Sequence, residues 1–145
     1  MRAARSERGF GFWSQGDVQQ ALQSSARQLQ AEYSVPYLAH TTMEPMTCTV
    51  EFLGDRATVW ASTQVPGFAR RAAARALGLD DERVEIVMTY LGCGFGRRLE
   101  VDFVAQAAQI ARAFPGKAVQ LIWSREDDVR HDFYRPACAA RLQAG

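Results

Sequence analysis

A strand-like run, Val84-Glu85-Ile86-Val87-Met88, leads into Gly92-Cys93-Gly94-Phe95-Gly96-Arg97-Arg98 and then into a helix-like run from Val101 to Ala113. This strand, loop and helix are the part of the chain that most restricts its fold. Three glycines in five positions remove the Cβ atoms that would otherwise hold main chain away from a ligand. A helix opening behind such a loop presents unpaired N–H groups and a partial positive charge, which suits phosphate or another anion. Arg97 and Arg98 follow at once and add fixed charge and forked donors. The stretch reads as backbone against which something anionic lies.

The rest of the chain surrounds this unit with short, alternating elements. Residues 1–15 are rich in Gly and Arg and read as irregular. Asp17 is suited to cap a helix through about Gln30, with Val18, Ala21, Leu22, Ala26 and Leu29 on one face. Residues 31–37 alternate as a strand that Pro36 confines to an edge or an end, and residues 38–47 form a loop. A hairpin is expected from residues 48–53 and 56–61 about the turn Gly54-Asp55. Pro66 is a good first-turn residue for a helix to Leu77 that Gly78 ends. A buried strand over 118–123, a capping signal at Ser124-Arg125-Glu126-Asp127 and a strand-like tail over 139–145 complete the series. The fold class is α+β: a mixed sheet with packed helices. The expected organisation is an irregular segment and helix over 1–32, then a single domain over 33–145.

Composition excludes several classes of function. The formal net charge is +1, so no long-range field points to nucleic acid or an anionic membrane surface. No apolar run approaches the ~20 residues that span a bilayer. The basic start at Met1-Arg2 is not followed by an apolar signal core. Cys48, Cys93 and Cys138 are odd in number and lack metal-ligand spacing, so they read as free thiols of a protein folded in a reducing compartment. No metal-ligand set is expected, and the compartment stays open between cytoplasm and periplasm.

The order of motifs is more specific than any one of them. Tyr37-Leu38-Ala39-His40 with Met43-Glu44-Pro45 comes first, then Val59-Trp60-Ala61-Ser62-Thr63-Gln64-Val65-Pro66. Leu91-Gly92-Cys93-Gly94-Phe95-Gly96-Arg97-Arg98 follows, and Trp123-Ser124-Arg125-Glu126-Asp127 comes last. From about Tyr33 onward this series resembles the molybdenum-cofactor-binding large subunit of the molybdenum hydroxylases, the xanthine dehydrogenase and aldehyde oxidase superfamily. The Arg-Arg pair and the Met-Glu-Pro segment resemble the isoquinoline 1-oxidoreductase beta-subunit branch.

The resemblance implies a molybdenum-pyranopterin cofactor, molybdopterin, with the cytosine dinucleotide form as one option. It implies hydroxylation of an aldehyde or N-heterocycle with water-derived oxygen, and electrons leaving to iron–sulfur clusters in a small partner subunit. Family large subunits are several times longer, so the resemblance implies a C-terminally truncated part whose other partner is the rest of the large subunit. The family's catalytic glutamate lies far downstream. No matching Gly-Glu segment precedes Gly145, so no catalytic residue is assigned and turnover by this chain alone is not expected.

Residue by residue, the resemblance assigns Gln64, Gly94, Phe95, Gly96 and Arg97 to the cofactor. Gln64 matches a glutamine that donates to an oxygen ligand of molybdenum, a task suited to an uncharged amide; its plainer reading is a helix cap before Pro66. Gly94, Phe95 and Gly96 match the loop that approaches the cofactor, where the plainer reading is a tight turn with Phe95 as an anchor. Cys93 stands where the family commonly has glycine. It implies either ordinary backbone there or an impaired site, because a side chain tolerates positive φ poorly. Arg97 and Arg98 suit a phosphate or the substrate, or else a solvated helix start beside Glu100 and Asp102. His40 and Glu44 read as hydrogen-bonded scaffold, with Glu44 orienting backbone. His131 with Asp127, Asp128 and Asp132 reads as an exposed, charge-paired helix, and Trp60, Trp123, Phe103 and Phe114 as core. The rival readings are a small non-catalytic module that binds phosphate or a nucleotide through the glycine loop, and a structural remnant that binds nothing. The module lacks a Walker-type Lys-Ser/Thr or a G-x-G-x-x-G spacing.

Overall fold

The computed structural model describes residues 10–145, which form two compact units: residues 10–38 with 135–145, and residues 39–134. Expectations over residues 1–9 lie outside the described residues.

In the first unit, helix α1 (Val18–Ser24) is capped by Asp17, whose side chain accepts from the Gln20 N–H. Strand β1 (Leu29–Val35) pairs antiparallel with β6 (Cys138–Ala144), from Leu29 opposite Ala144 to Val35 opposite Cys138. The helix expected to reach Gln30 thus stops a turn and a half short. Leu29 and Gln30, which fit a helical face by spacing, are taken by pairing with residues more than a hundred positions later. A boundary after residue 32 falls inside β1.

The second unit holds the glycine loop. Strands β2 (Thr47–Phe52) and β3 (Ala57–Ala61) form the expected hairpin. With β4 (Val84–Met88) and β5 (Ala118–Ile122) they make a sheet of order β4-β3-β2-β5, parallel only between β3 and β4. The observed class is α+β with a mixed sheet.

Register explains how the sheet acquires a core face. Cys48 faces Ala61 and Leu121, Val50 faces Val59 and Val119, and Phe52 faces Ala57. These apolar positions share one side. Helices α2 (Pro66–Leu77) and α3 (Asp102–Arg112) supply Ala69, Ala73, Ala74, Leu77, Phe103, Val104, Ala107, Ala108 and Ala111 to the same core. Gly78 ends α2 in the left-handed region, its N–H bonded to the Ala74 carbonyl. Phe103 and Trp123 are buried as expected, but Phe114 is half-exposed. It lies two residues past the last turn of α3. Trp60 is half-buried, because alternation along β3 turns it away from Val59 and Ala61. Helix α4 (Arg125–Arg130) starts at Ser124, whose hydroxyl accepts from the Asp127 N–H.

Candidate functional site: the glycine loop and the side chains that hold it

The loop after β4 is organised around Arg98, which is fully buried. Its Nε donates to the Cys93 carbonyl at 2.9 Å and its Nη1 to the Ser62 carbonyl at 2.9 Å and to the Ser62 hydroxyl. Its Nη2 donates to the Glu44 carbonyl at 3.0 Å and to Glu44 Oε2 at 2.7 Å. One guanidinium therefore ties together the segments at residue 44, at the end of β3 and at the loop itself. Burial draws its pKa below the ordinary value, while Glu44 and Asp128 oppose that shift. The Arg98 carbonyl in turn accepts from the Gln64 N–H at 3.0 Å and the Thr63 hydroxyl at 3.1 Å.

Arg97 is equally enclosed, 1% exposed. It takes Asp102 in two bonds of 3.0 and 2.9 Å and lies against the rings of Trp123 and Phe133. Its Nε faces Asp132 at 3.5 Å without a hydrogen bond. Neither arginine is part of a solvated helix start. A 3₁₀ turn, Arg97–Leu99, separates the loop from α3, whose first residue, Asp102, turns its carboxylate to Arg97. The expected anion site at the mouth of α3 is thus displaced by an internal ion pair.

The glycines serve close approach, but by protein side chains. A Cβ on Gly92 would lie 2.4 Å from Glu44 Cβ, and one on Gly94 would lie 2.7 Å from Gln64 Oε1. Glu44 Oε2 accepts from the Gly92 N–H at 3.0 Å, so this carboxylate does orient backbone. Gln64 Oε1 accepts from the Gly96 N–H at 3.2 Å. Thr41, Cys93 and Phe95 have φ of 43°, 77° and 54° and are the non-glycine residues of positive φ among the described residues. Each costs of order 1–2 kcal/mol, and such strain gathers where surrounding contacts over-determine the backbone. Cys93 is therefore not in ordinary backbone.

Around Gln64 and the glycine loop, several donors remain unengaged. Among the described residues no protein acceptor takes Gln64 Nε2, the Cys93 N–H or the Gly94 N–H. Since Gln64 Oε1 is held by Gly96, its amide is oriented with the NH₂ free to donate. A cluster of donors on tightly held, glycine-thinned main chain fits an oxygen-rich or phosphate-bearing ligand. Gln64, Gly94 and Gly96 are brought together. Phe95 is half-exposed at the tip, and Arg97 stands behind the loop with its guanidinium engaged internally.

Comparison with known proteins decides the family. The family model described as "Molybdopterin cofactor-binding domain" matches residues 3–145. The chain belongs to this molybdopterin cofactor-binding family. Isoquinoline 1-oxidoreductase subunit beta of Brevundimonas diminuta is 40% identical over 103 residues, covering 70% of this chain and 13% of that protein. The aldehyde oxidoreductase molybdenum-binding subunit PaoC of Escherichia coli K12 is 30% identical over 130 residues, 90% of this chain and 18% of its own length. The xanthine dehydrogenase molybdenum-binding subunit of Escherichia coli O157:H7 is 33% identical over 79% of this chain and 15% of that one. In fold, the aldehyde oxidoreductase of Desulfovibrio gigas superposes with a TM-score of 0.64 at 18% identity, over 88% of this chain and 14% of that one. The chain spans roughly one-sixth of the length of these curated relatives.

The molybdopterin cofactor-binding domain is thus an oxidoreductase-family domain. None of these relatives supports a stand-alone phosphate or nucleotide module. Within the domain, sequence reasoning undervalued Arg98 and did not link His40 to Asp132, 92 positions away. The only signal for Arg98 was an arginine next to glycines with no exposed-helix pattern around it. His131 lies against Trp123, 5.4 Å between ring centres, and Asp128, its carboxylate pKa raised by burial, pairs with Arg125 at 2.6 Å.

Proposed function

We propose that this chain is the part of a molybdenum hydroxylase large subunit that cradles the molybdenum-pyranopterin cofactor through Gln64 and the Gly94-Phe95-Gly96 loop. The observation that carries the reading is the Gln64 amide, pinned through Oε1 to the Gly96 N–H at 3.2 Å with its NH₂ unengaged. Two further unengaged donors, on Cys93 and Gly94, lie in the same loop. When bound, the cofactor supplies two-electron redox chemistry for hydroxylating a carbon with water-derived oxygen. The protein's part is to place and orient it. Gln64 Nε2 donates to an oxygen of the cofactor without adding charge, and the loop N–H groups meet its oxygen-rich portion. Phe95 shields the tip from water. Arg97 acts from behind, fixing the loop through Asp102.

The substrate class is an aldehyde or an N-heterocycle, and the electron acceptor an iron–sulfur subunit. Relatives named for isoquinoline, an aldehyde and xanthine support the substrate class, and their being named as subunits supports a separate electron-accepting partner. The same reading puts the catalytic base outside these 145 residues, which hold cofactor without turning over alone. The cytosine dinucleotide form of the cofactor belongs to the same reading. The test is molybdenum and pterin content of the complete polypeptide carrying these residues, as wild type and as Gln64→Glu. The variant replaces the donor by a charged acceptor. Wild type should carry near-stoichiometric metal and pterin, and the variant roughly tenfold less. Metal-free wild type, or a fully loaded variant, would overturn the reading.

A further inference from the structure

Asp132 grips residue 40 twice. The His40 N–H donates to Asp132 Oδ2, and His40 Nδ1 lies 2.8 Å from Oδ1. The imidazole is 9% exposed and the carboxylate 2%. An ionised carboxylate only accepts, so the proton of the Nδ1 bond sits on the ring, and a neutral ring then carries its lone pair on Nε2. That atom has no hydrogen-bond partner among the described residues, and it is not one of the enclosed unpartnered atoms, of which Arg97 Nε is the sole example. It lies 3.5 Å from the position of a Cβ on Gly96. Gly96 is also the residue whose N–H is held by Gln64.

The imidazole is therefore more firmly fixed than packing alone requires, and its one unengaged atom faces the shoulder of the loop. A buried carboxylate that sets the orientation and tautomer of a histidine is the usual support of a working imidazole. Gln64 Nε2 and the N–H of Cys93 and Gly94 are unengaged donors of the same corner. His40 Nε2 adds an acceptor beside Gly96.

We propose that His40 is a cofactor-binding residue whose Nε2 accepts an N–H of the amino-substituted heterocycle of the pterin, with Asp132 as the positioning residue that fixes the tautomer. This rests on the reading that the glycine loop holds that cofactor. Within the pterin, the substituted heterocycle is the component that offers N–H donors, so it is the component an acceptor beside the glycine loop suits.

The test uses the complete natural polypeptide made in a cofactor-producing host. Pterin is counted per folded molecule, as its fluorescent oxidation product, before and after a fixed dialysis. Asp132→Asn offers an amide N–H to Nδ1, drives the ring proton to Nε2 and removes the acceptor, as in the wrong-tautomer variants of catalytic triads. Retention should fall roughly tenfold. His40→Phe keeps ring volume without the acceptor and should fall as far. His40→Gln can place an amide oxygen near the Nε2 position and should recover part of the retention, although its bond to Asp132 is lost. A structural role would instead make His40→Gln and His40→Phe alike. Equal retention in those two variants overturns the inference, as does wild-type retention in Asp132→Asn. A depleted Gln64→Glu beside a fully retained Asp132→Asn would overturn this inference alone, whereas wild type without pterin would overturn it together with the cofactor reading.

Discussion

The helix-covered side of the sheet and the loop corner of the same unit both exclude water, by opposite means. Under the helices the filling is small and apolar: Ala69, Ala73, Ala107, Ala108 and Ala111 close against Val50 and Val59, all fully buried. In the corner, Arg97 and Arg98 are the two largest fully buried side chains of the described residues. Burying alanine and valine is favourable by area alone. A buried guanidinium must recover its lost hydration through hydrogen bonds, and such pairs contribute little net stability while leaving few alternative arrangements. The apolar side holds the unit folded, and the ionic corner fixes the positions of three loops.

If the corner depends on Arg98, removing it should cost more than disturbing the apolar side. Arg98→Met leaves the Glu44 carboxylate and three carbonyls without their donor, with an expected loss of about 3–5 kcal/mol. Overpacking the fully buried Ala107 with leucine should cost about 1–3 kcal/mol. Denaturant unfolding of both variants makes the comparison directly. A smaller loss for Arg98→Met would break the contrast.

Within the corner, the approach of Glu44 to Gly92 predicts that Gly92→Ala loses about 1–3 kcal/mol, since its Cβ meets another Cβ that cannot easily yield. The same denaturant curves report it. Cys93→Gly sharpens the account in the other direction. It removes about 1–2 kcal/mol of left-handed strain against about 0.5–1 kcal/mol of added chain entropy. Melting should show a gain between zero and about 1.5 kcal/mol.

The smallest effect concerns the apolar side. Burial pushes the Cys48 thiol from its ordinary 9.0 up to about 12, so the fold favours the neutral form. Above pH 9 the unfolded chain releases this proton first, and the contribution to stability falls as pH rises toward 12. In native protein at mildly alkaline pH, iodoacetamide should modify exposed Cys138 well before buried Cys48.

The apolar side was legible in the sequence. Alternation in residues 48–52 and 57–61, Pro66 at the start of α2 and Gly78 at its end are local signals, and the structure follows them. The corner was legible only as a place. Sequence indicated that Gln64 and the glycine loop meet, and they do, but it suggested that the missing Cβ atoms leave room for a ligand. The room is filled by Glu44 beside Gly92 and by Gln64 beside Gly94. The pairs Arg98–Glu44 and His40–Asp132 join residues 54 and 92 positions apart. Such polar contacts follow no period that a pattern could reveal. The β1–β6 pairing was hidden for the same reason, since each strand's partner lies at the far end of the chain.

Gly94→Ala in the complete polypeptide tests most directly whether this corner exists to hold a cofactor. Gly94 is outside the left-handed region, so alanine adds little backbone strain, and the three atoms nearest its Cβ all belong to the flexible Gln64 side chain. The account predicts a stability change within about 1 kcal/mol together with roughly a tenfold loss of bound pterin, as the amide is pushed off Gly96. Pterin and molybdenum at wild-type levels in that variant would contradict it.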